Sequence, residues 1–141
     1  MAYQVIYSSQ AVAPMSIAEL ESILVDAREG NMRRGVTGAL VFVDGVFLQI
    51  LEGQKEAVQS LMSSIEKDSR HSSMHVIYEG EIDQAMFSGW KMAYLSSTPA
   101  QVAAWLGMEG AASLQELLDD LHRTPAQASR VADGILTALA E

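Results

Sequence analysis

The spacing of apolar residues over the first hundred positions predicts alternating strands and helices. Runs rich in β-branched and aromatic residues predict five strands, at residues 2–7, 36–43, 46–52, 75–80 and 90–95. The second and third runs are separated only by Asp44-Gly45. Because an Asp-Gly dipeptide between two apolar runs favours a tight turn, these two strands are predicted to form a β-hairpin.

Two amphipathic helices are predicted between these strands. Ser16 and Glu19 have the spacing of a capping box at the start of the first helix, and Gly30 is expected to end it. Apolar residues at helical spacing predict its buried face: Ile17, Leu20, Ile23, Leu24 and Ala27. The second helix is predicted from about Gln54 to Lys67, where apolar side chains again recur on one face.

The resulting order is β-α-β-β-α-β with one extra strand. This order predicts an α+β, ferredoxin-like sheet with two helices on one face, which leaves the other face in need of cover. Residues 98–141 can supply it, because they carry three helix-start signals, at Thr98-Pro99, Ser113–Glu116 and Thr124-Pro125. We therefore divide the chain into a folded domain at 1–96 and a C-terminal helical extension at 97–141.

Composition and charge exclude several classes of function. The net charge of −9 argues against nucleic-acid binding and against anionic membrane surfaces, because both need clustered basic side chains. The chain lacks cysteine, which removes disulfides, thiolate catalysis and cysteine-ligated metals. With no apolar run of about 18 residues and no signal peptide at the start, we expect a cytoplasmic protein.

A few polar or oxidisable side chains lie where a plain apolar core would not place them. Tyr7 ends the first predicted strand, Asn31 follows the first helix, and Gln49 interrupts the apolar run VFLQILE. Trp90 and Met92 are two apart on a predicted strand and are expected to face the same side. Each is compatible with an ordinary structural role, but a buried amide such as Gln49 requires hydrogen-bond partners.

Five segments in order resemble the BLUF family of flavin-dependent blue-light sensors. They are QVIYSSQ (4–10), REGNMRRGVTGAL (28–40), DGVFLQILEG (44–53), KDSRH (67–71) and FSGWKMAYL (87–95). Together they span about residues 2–96, and their combination is far more specific than any one of them. The resemblance implies a flavin, FAD or FMN with FAD preferred, held non-covalently between the two helices.

The resemblance also implies roles for individual residues. Gln49 would lie between Tyr7 and the N5/O4 edge of the flavin, flanked by Trp90 and Met92. The other implied flavin contacts are Ile23, Leu24 and Ile65 beside the ring, Asn31 at its pyrimidine end, and Arg28, Arg70 and His71 toward the ribityl chain or phosphates. Excitation would draw an electron and a proton from Tyr7, and the Gln49 amide, which both donates and accepts hydrogen bonds, would rearrange.

Two positions depart from the family pattern. Gly30 stands where several members carry histidine or asparagine, and Ser69 stands where many carry proline. The first is expected to alter flavin affinity or tuning, and the second only the local turn. The roughly 45 residues after position 96 are too few for a cyclase or phosphodiesterase core. We therefore expect no enzyme activity, and an output through a protein partner or through a homodimer or higher oligomer.

Two other functions are known possibilities for a chain with this predicted order of elements. A ferredoxin-like acylphosphatase would need an arginine in the loop after the first strand, and Ser8-Ser9-Gln10-Ala11 contains none. A ligand-sensing or dimerising module of the same fold without flavin is the alternative that remains open. No metal site is expected, because Asp68, His71 and His75 lack a recognisable ligand spacing.

Overall fold

The computed structural model describes residues 2–90, 92–107, 113–123 and 127–140. Its strands are β1 (Ala2–Ala11), β2 (Thr37–Val43), β3 (Val46–Gly53), β4 (His71–Ile82) and β5 (Ala93–Ser96). Its helices are α1 (Ile17–Arg34), α2 (Lys55–Glu66), α3 (Pro99–Trp105), α4 (Leu114–Arg123) and α5 (Gln127–Ala140). In the part of the chain described, no helix combines the length and the apolar character that crossing a membrane requires.

The strands form one sheet in the order β4-β1-β3-β2-β5. Strand β3 pairs antiparallel with both β1 and β2, β4 pairs antiparallel with β1, and β5 pairs parallel with β2. Helices α1 and α2 lie on one face of the sheet, and α3, α4 and α5 lie on the other. The predicted ferredoxin-like arrangement with a C-terminal helical cover is therefore confirmed.

Alternate residues of the strands belong to two separate hydrophobic clusters, one on each face of the sheet. We call one side the cavity face; its sheet residues are Val5, Tyr7, Leu40, Phe47, Gln49 and Leu51, and they pack under α1 and α2. We call the other side the tail face; its sheet residues include Ile6, Ala39, Val41, Leu48 and Ile50, and they pack under α3, α4 and α5. The period of two in β3 separates these sets as the sequence predicts.

Two glycine-dependent features shape the β2–β3 hairpin. Asp44 and Gly45 have positive φ angles of 44° and 79°, as a two-residue hairpin turn demands. A Cβ on Gly38 would lie 1.9 Å from the backbone oxygen of Ile50, so the strands can approach this closely only with glycine there.

The first helix is longer than the sequence pattern predicts. It continues past Gly30 to Arg34, and Gly35, with φ of 68°, is the residue that ends it. Gly30 has no positive φ, so it gives the chain no reason to leave the helix there. The prediction that Ile17 belongs to the buried face is also wrong, since it is 77% exposed in the first turn.

The region predicted as a strand at 90–95 begins later than expected. Strand β5 starts at Ala93, while the Trp90 N–H donates to the carbonyl of Phe87 in a turn. Contrary to the prediction, the side chains of Trp90 and Met92 do not share a face. Trp90 packs against the tail-face cluster, and Met92 is buried in the cavity-face cluster.

The tail helices begin at the predicted caps where these are described. Thr98 Oγ1 accepts from the Gln101 N–H at 3.2 Å, and Ser113 Oγ accepts from the Glu116 N–H at 3.2 Å. The predicted Thr124-Pro125 start lies outside the described residues. Whether 1–96 and 97–141 are separate domains stays a prediction, because the helices of the second share one hydrophobic cluster with the sheet of the first.

Candidate functional site

A cavity of about 230 Å³ lies between α1, α2 and the cavity face of the sheet. Its size is a little below the ~300–1,000 Å³ typical of small-molecule sites. Apolar side chains form its walls: Ile23, Ala27, Leu40, Phe47, Leu61 and Ile65. Polar and charged groups meet it at the sheet and at its rim: Tyr7, Ser9, Gln49, Asn31, Asp26, Asp68, Arg33, Arg34, Arg70 and His71.

Tyr7 and Gln49 are directly opposite residues on the adjacent strands β1 and β3. The Tyr7 hydroxyl donates a hydrogen bond to Gln49 Oε1, and both residues are buried. Burial, with a smaller contribution from the Asp68 carboxylate, raises the pKa of Tyr7 far above its ordinary value of 10.0. Tyr7 is therefore a neutral phenol at any physiological pH, and its proton is available to Gln49.

The nitrogen of the Gln49 side chain faces Met92. Its Nε2 lies 3.6 Å from Met92 Sδ, within the range of a weak hydrogen bond to sulfur. The backbone carbonyl of Met92 in turn accepts from Arg28 Nε at 3.2 Å. Arg28 therefore positions Met92 from outside the cavity wall.

Two more polar side chains reach the cavity from opposite sides. Asn31 lies in the last turn of α1 and is 1% exposed. Its backbone carbonyl accepts a hydrogen bond from the Val36 N–H at 2.9 Å. Ser9 lies on β1 two residues beyond Tyr7, and its buried hydroxyl has no hydrogen-bond partner among the described residues. A buried hydroxyl at a cavity wall is suited to bind a polar atom of a ligand.

The charged rim is largely paired. Arg70 forms ion pairs with Asp68 at 2.5 Å and Asp26 at 3.1 Å, and its hydrogen bonds to Asp68 hold the pKa of that carboxyl below its usual value. His71 Nε2 lies 2.7 Å from the carbonyl of Ile65, which can only accept, so this nitrogen carries a proton. Arg70 therefore meets the cavity with its charge already balanced by two carboxylates.

Most of the residues predicted for a flavin site line this cavity. They are Tyr7, Ile23, Asn31, Gln49, Ile65, Arg70 and His71. Three others lie behind the wall: Leu24, Arg28 and Met92. Leu24 is turned about 100° around the helix from Ile23 and packs into the core instead.

Trp90 is the one predicted site residue that lies on the wrong side of the sheet. It packs near Phe87, with ring centroids 6.1 Å apart, in the tail-face cluster. It does not flank Gln49, because the turn from Phe87 to Trp90 keeps the indole on the tail face.

Sequence reasoning missed several wall and rim residues. Leu40 and Phe47 face the cavity because they share the sheet face of Gln49, and strand alternation could have identified both. Arg33 and Arg34 belong to the last turn of α1 and border the cavity. Extending α1 beyond Gly30 would have placed both beside Asn31.

The residues of the cavity fit a flavin. Apolar side chains from α1, α2 and the sheet can hold the faces of a planar ring, while the amides of Asn31 and Gln49 and the Ser9 hydroxyl can bind its heteroatoms. Arg33 and Arg34 border the rim, where their guanidinium groups can meet anionic groups of a ligand. No group of three or more metal-binding side chains occurs among the described residues.

Comparison with known proteins agrees with this fit. The family model described as BLUF, sensors of blue-light using FAD, matches residues 2–93. Photoactivated adenylate cyclase subunit alpha of Euglena gracilis is 35% identical over 118 residues, which are 84% of this chain and 11% of that protein. The chain thus spans only about a tenth of the curated relatives it matches.

Solved structures show the same fold over nearly the whole chain. BlsA in its photo-activated state superposes with a TM-score of 0.81 at 26% identity, covering 96% of this chain and 95% of that one. BlrB, a BLUF protein in its dark state, superposes with a TM-score of 0.74 at 23% identity, covering 97% and 96%. The chain belongs to the BLUF family, the blue-light sensors that bind a flavin non-covalently.

Proposed function

We propose that Tyr7, Gln49 and Met92 form the photoactive relay of this blue-light sensor. The observation that carries the proposal is their continuous contact at the cavity wall, from the Tyr7 hydroxyl through the Gln49 amide to the Met92 sulfur. A glutamine side chain is suited to the middle position, because it offers both donors and acceptors and has two orientations of similar shape.

The chemistry follows from the protonation of these groups. When bound, the flavin supplies the absorption of blue light and an excited state that accepts an electron. Tyr7 is a neutral, buried phenol, so loss of an electron makes its hydroxyl strongly acidic and its proton passes to Gln49 Oε1. Gln49 then rotates, and the electron and a proton return to Tyr7. If the returning proton comes from Gln49 Oε1 the side chain is again an amide, and if it comes from the nitrogen the side chain is left as the imidic acid tautomer. Either outcome changes the pattern of hydrogen bonds without a bond to the flavin.

The remaining residues hold the cofactor in this proposal. Asn31 and Ser9 bind polar atoms of the ring, Ile23 and Ile65 pack against it, and the rim cations meet the ribityl chain and phosphates. We take FAD as the cofactor, in agreement with the description of the family. Arg70 acts mainly by fixing the turn after α2, since Asp26 and Asp68 already neutralise it.

The output is proposed to be a change in protein contacts rather than a reaction catalysed by residues 1–141. Matching segments occur within much longer relatives named as photoactivated adenylate cyclases, where the catalytic activity named belongs to the whole protein. In this chain, residues 97–141 would carry the change in residues 1–96 to a downstream partner or to a second copy in a homodimer.

The test is an absorption spectrum of the flavin-loaded protein before and after blue light. We expect a small, reversible shift of the flavin band to the red, and its complete loss in Gln49→Leu. Gln10→Leu is the matched control, because Gln10 is an exposed glutamine on the same strand as Tyr7. Flavin uptake without any light-induced shift would contradict the proposal, and failure to take up flavin would favour the flavin-free sensing module.

A further inference from the structure

A fully buried glutamate lies on the tail face, at the end of β3. Glu52 is 0% exposed, and its side chain accepts three hydrogen bonds. Oε1 accepts from the Phe87 N–H at 2.7 Å, while Oε2 accepts from the Met86 N–H at 3.0 Å and from Gln4 Nε2 at 2.8 Å. Such a carboxylate requires all of its donors, so it fixes the backbone at positions 86 and 87.

The backbone that Glu52 fixes leads to the photoactive relay. We call residues 86–90 together with Met92 the crossing segment. Its start is on the tail face, where Phe87 is fully buried, and its end is on the cavity face, where Met92 reaches Gln49. Between these points the Trp90 carbonyl accepts from the Gly38 N–H at 3.1 Å. The described residues of the crossing segment thus lie on both faces of the sheet, and Trp90 lies beside the start of β2.

We propose that Glu52 is a positioning residue for the photocycle, although it touches neither the cavity nor Gln49. By holding the start of the crossing segment, it fixes the distance between Met92 Sδ and Gln49 Nε2. The proposal rests on the relay proposed above. The Gln49 amide must turn past the Met92 side chain in both directions of the photocycle, so a looser Met92 lowers the barrier to that movement, including the return in darkness.

The expected effect of releasing Glu52 is a faster return to the dark state. In Glu52→Gln one amide oxygen remains, but an NH₂ group replaces the second acceptor, so one of the two backbone N–H groups loses its partner. We expect the flavin spectrum and the red shift to persist and the thermal recovery in darkness to accelerate about three- to tenfold, the effect of weakening one hydrogen bond.

A matched control and a double variant separate positioning from general loosening. Glu79→Gln makes the same chemical change on β4, where the carboxylate accepts an exposed hydrogen bond from the Tyr3 hydroxyl at 2.5 Å, and its recovery should stay within about twofold of the unchanged protein. In a Met92→Ala background, Glu52→Gln should add no further acceleration, because the group through which it acts is absent.

The recovery rates decide the question. The Glu52 proposal is wrong if Glu52→Gln recovers no faster than Glu79→Gln. It is also wrong if Glu52→Gln accelerates recovery equally in the unchanged protein and in the Met92→Ala background. Neither outcome would affect the proposed relay. A missing red shift in the unchanged protein would contradict the relay itself. If Glu52→Gln does not fold, Gln4→Met removes the amide that donates to Glu52 Oε2 at 2.8 Å and lies 3.8 Å from Met86 Sδ, and so loosens the same end of the crossing segment. Faster recovery in that variant supports the proposal, and unchanged recovery overturns it.

Discussion

The two faces of the sheet are built from alternate residues of the same strands, yet they are packed very differently. The cavity face contains Tyr7, Gln49 and a space of about 230 Å³ beneath α1 and α2. The tail face of the central strands presents apolar side chains such as Val41, Leu48 and Ile50, each at most 4% exposed, under α3, α4 and α5. One face can therefore accept a ligand, and the other stabilises the fold.

The difference in packing between the two faces explains how a single five-stranded sheet can be both stable and photoactive. The cavity reduces packing on the cavity face, while the close-packed tail face supplies apolar burial. Polar contacts join the faces at the crossing segment, where Glu52 on the tail face holds the chain that leads to Met92 on the cavity face. The comparison predicts that variants on the two faces have different consequences.

The largest expected effect on stability comes from truncating the tail face. Ile50→Ala should lower the free energy of unfolding of the flavin-free protein by about 2–5 kcal/mol, because Ile50 is completely buried in a close-packed cluster. Leu40→Ala on the cavity face should cost less than half as much, since one side of Leu40 already borders the cavity and makes fewer contacts.

Urea unfolding measures both variants, and flavin titration separates them further. Leu40→Ala should weaken flavin binding, whereas Ile50→Ala should bind flavin normally at temperatures where it is folded. Equal losses of stability in the two variants would remove the proposed distinction between the faces.

A smaller loss of stability is expected when a methyl group is added at the contact between α3 and α5. A Cβ on Gly134 would lie 2.4 Å from Cγ and Cδ1 of Trp105, so Gly134→Ala must displace the indole. We expect a net loss of about 1–3 kcal/mol in the free energy of unfolding, because overpacking outweighs the helix propensity gained.

The matched control for this variant is Gly89→Ala. A Cβ on Gly89 meets no atom within 4 Å, and Gly89 has no positive φ, so its stability should change by less than about 0.5 kcal/mol. Thermal unfolding of the two variants in parallel checks the difference. Gly134→Ala as stable as its control would show that α3 and α5 can separate at little cost.

The smallest effect is a dependence on alkaline pH that belongs to the cavity face. The pKa of Tyr7 is raised by burial, so below pH 10.0 both folded and unfolded chains keep its proton and stability is unaffected. Above about pH 10 the unfolded chain loses this proton while the folded chain retains it, so stability falls by ~1.4 kcal/mol per pH unit.

Urea unfolding of the unchanged protein and of Tyr7→Phe between about pH 8 and about pH 11 checks this slope. The unchanged protein should lose stability more steeply than Tyr7→Phe as the pH rises above that of an ordinary phenol. Parallel curves would mean that Tyr7 ionises normally and is less buried than the structure has it.

Local patterns predicted the elements of this fold well and their ends less well. Alternation in β3, the Asp44-Gly45 turn and the Ser16 cap are decided by residues close in sequence, and each is confirmed. The end of α1 was misplaced because glycine is tolerated within a helix, and only the left-handed conformation of Gly35 marks the true end.

The sequence alone determined which residues are candidates for a photoactive site, because Gln49 interrupts an otherwise apolar run and the resemblance to the BLUF family implies roles for Tyr7, Asn31 and Met92. Only the tertiary structure decided which of them meet. Tyr7 lies opposite Gln49 because β1 inserts between β3 and β4. Trp90 lies on the tail face, away from Met92, where its N–H is bonded to the Phe87 carbonyl in a turn. Both depend on contacts between residues distant along the chain, such as those of Glu52, and neither follows from a local period of two or 3.6 residues.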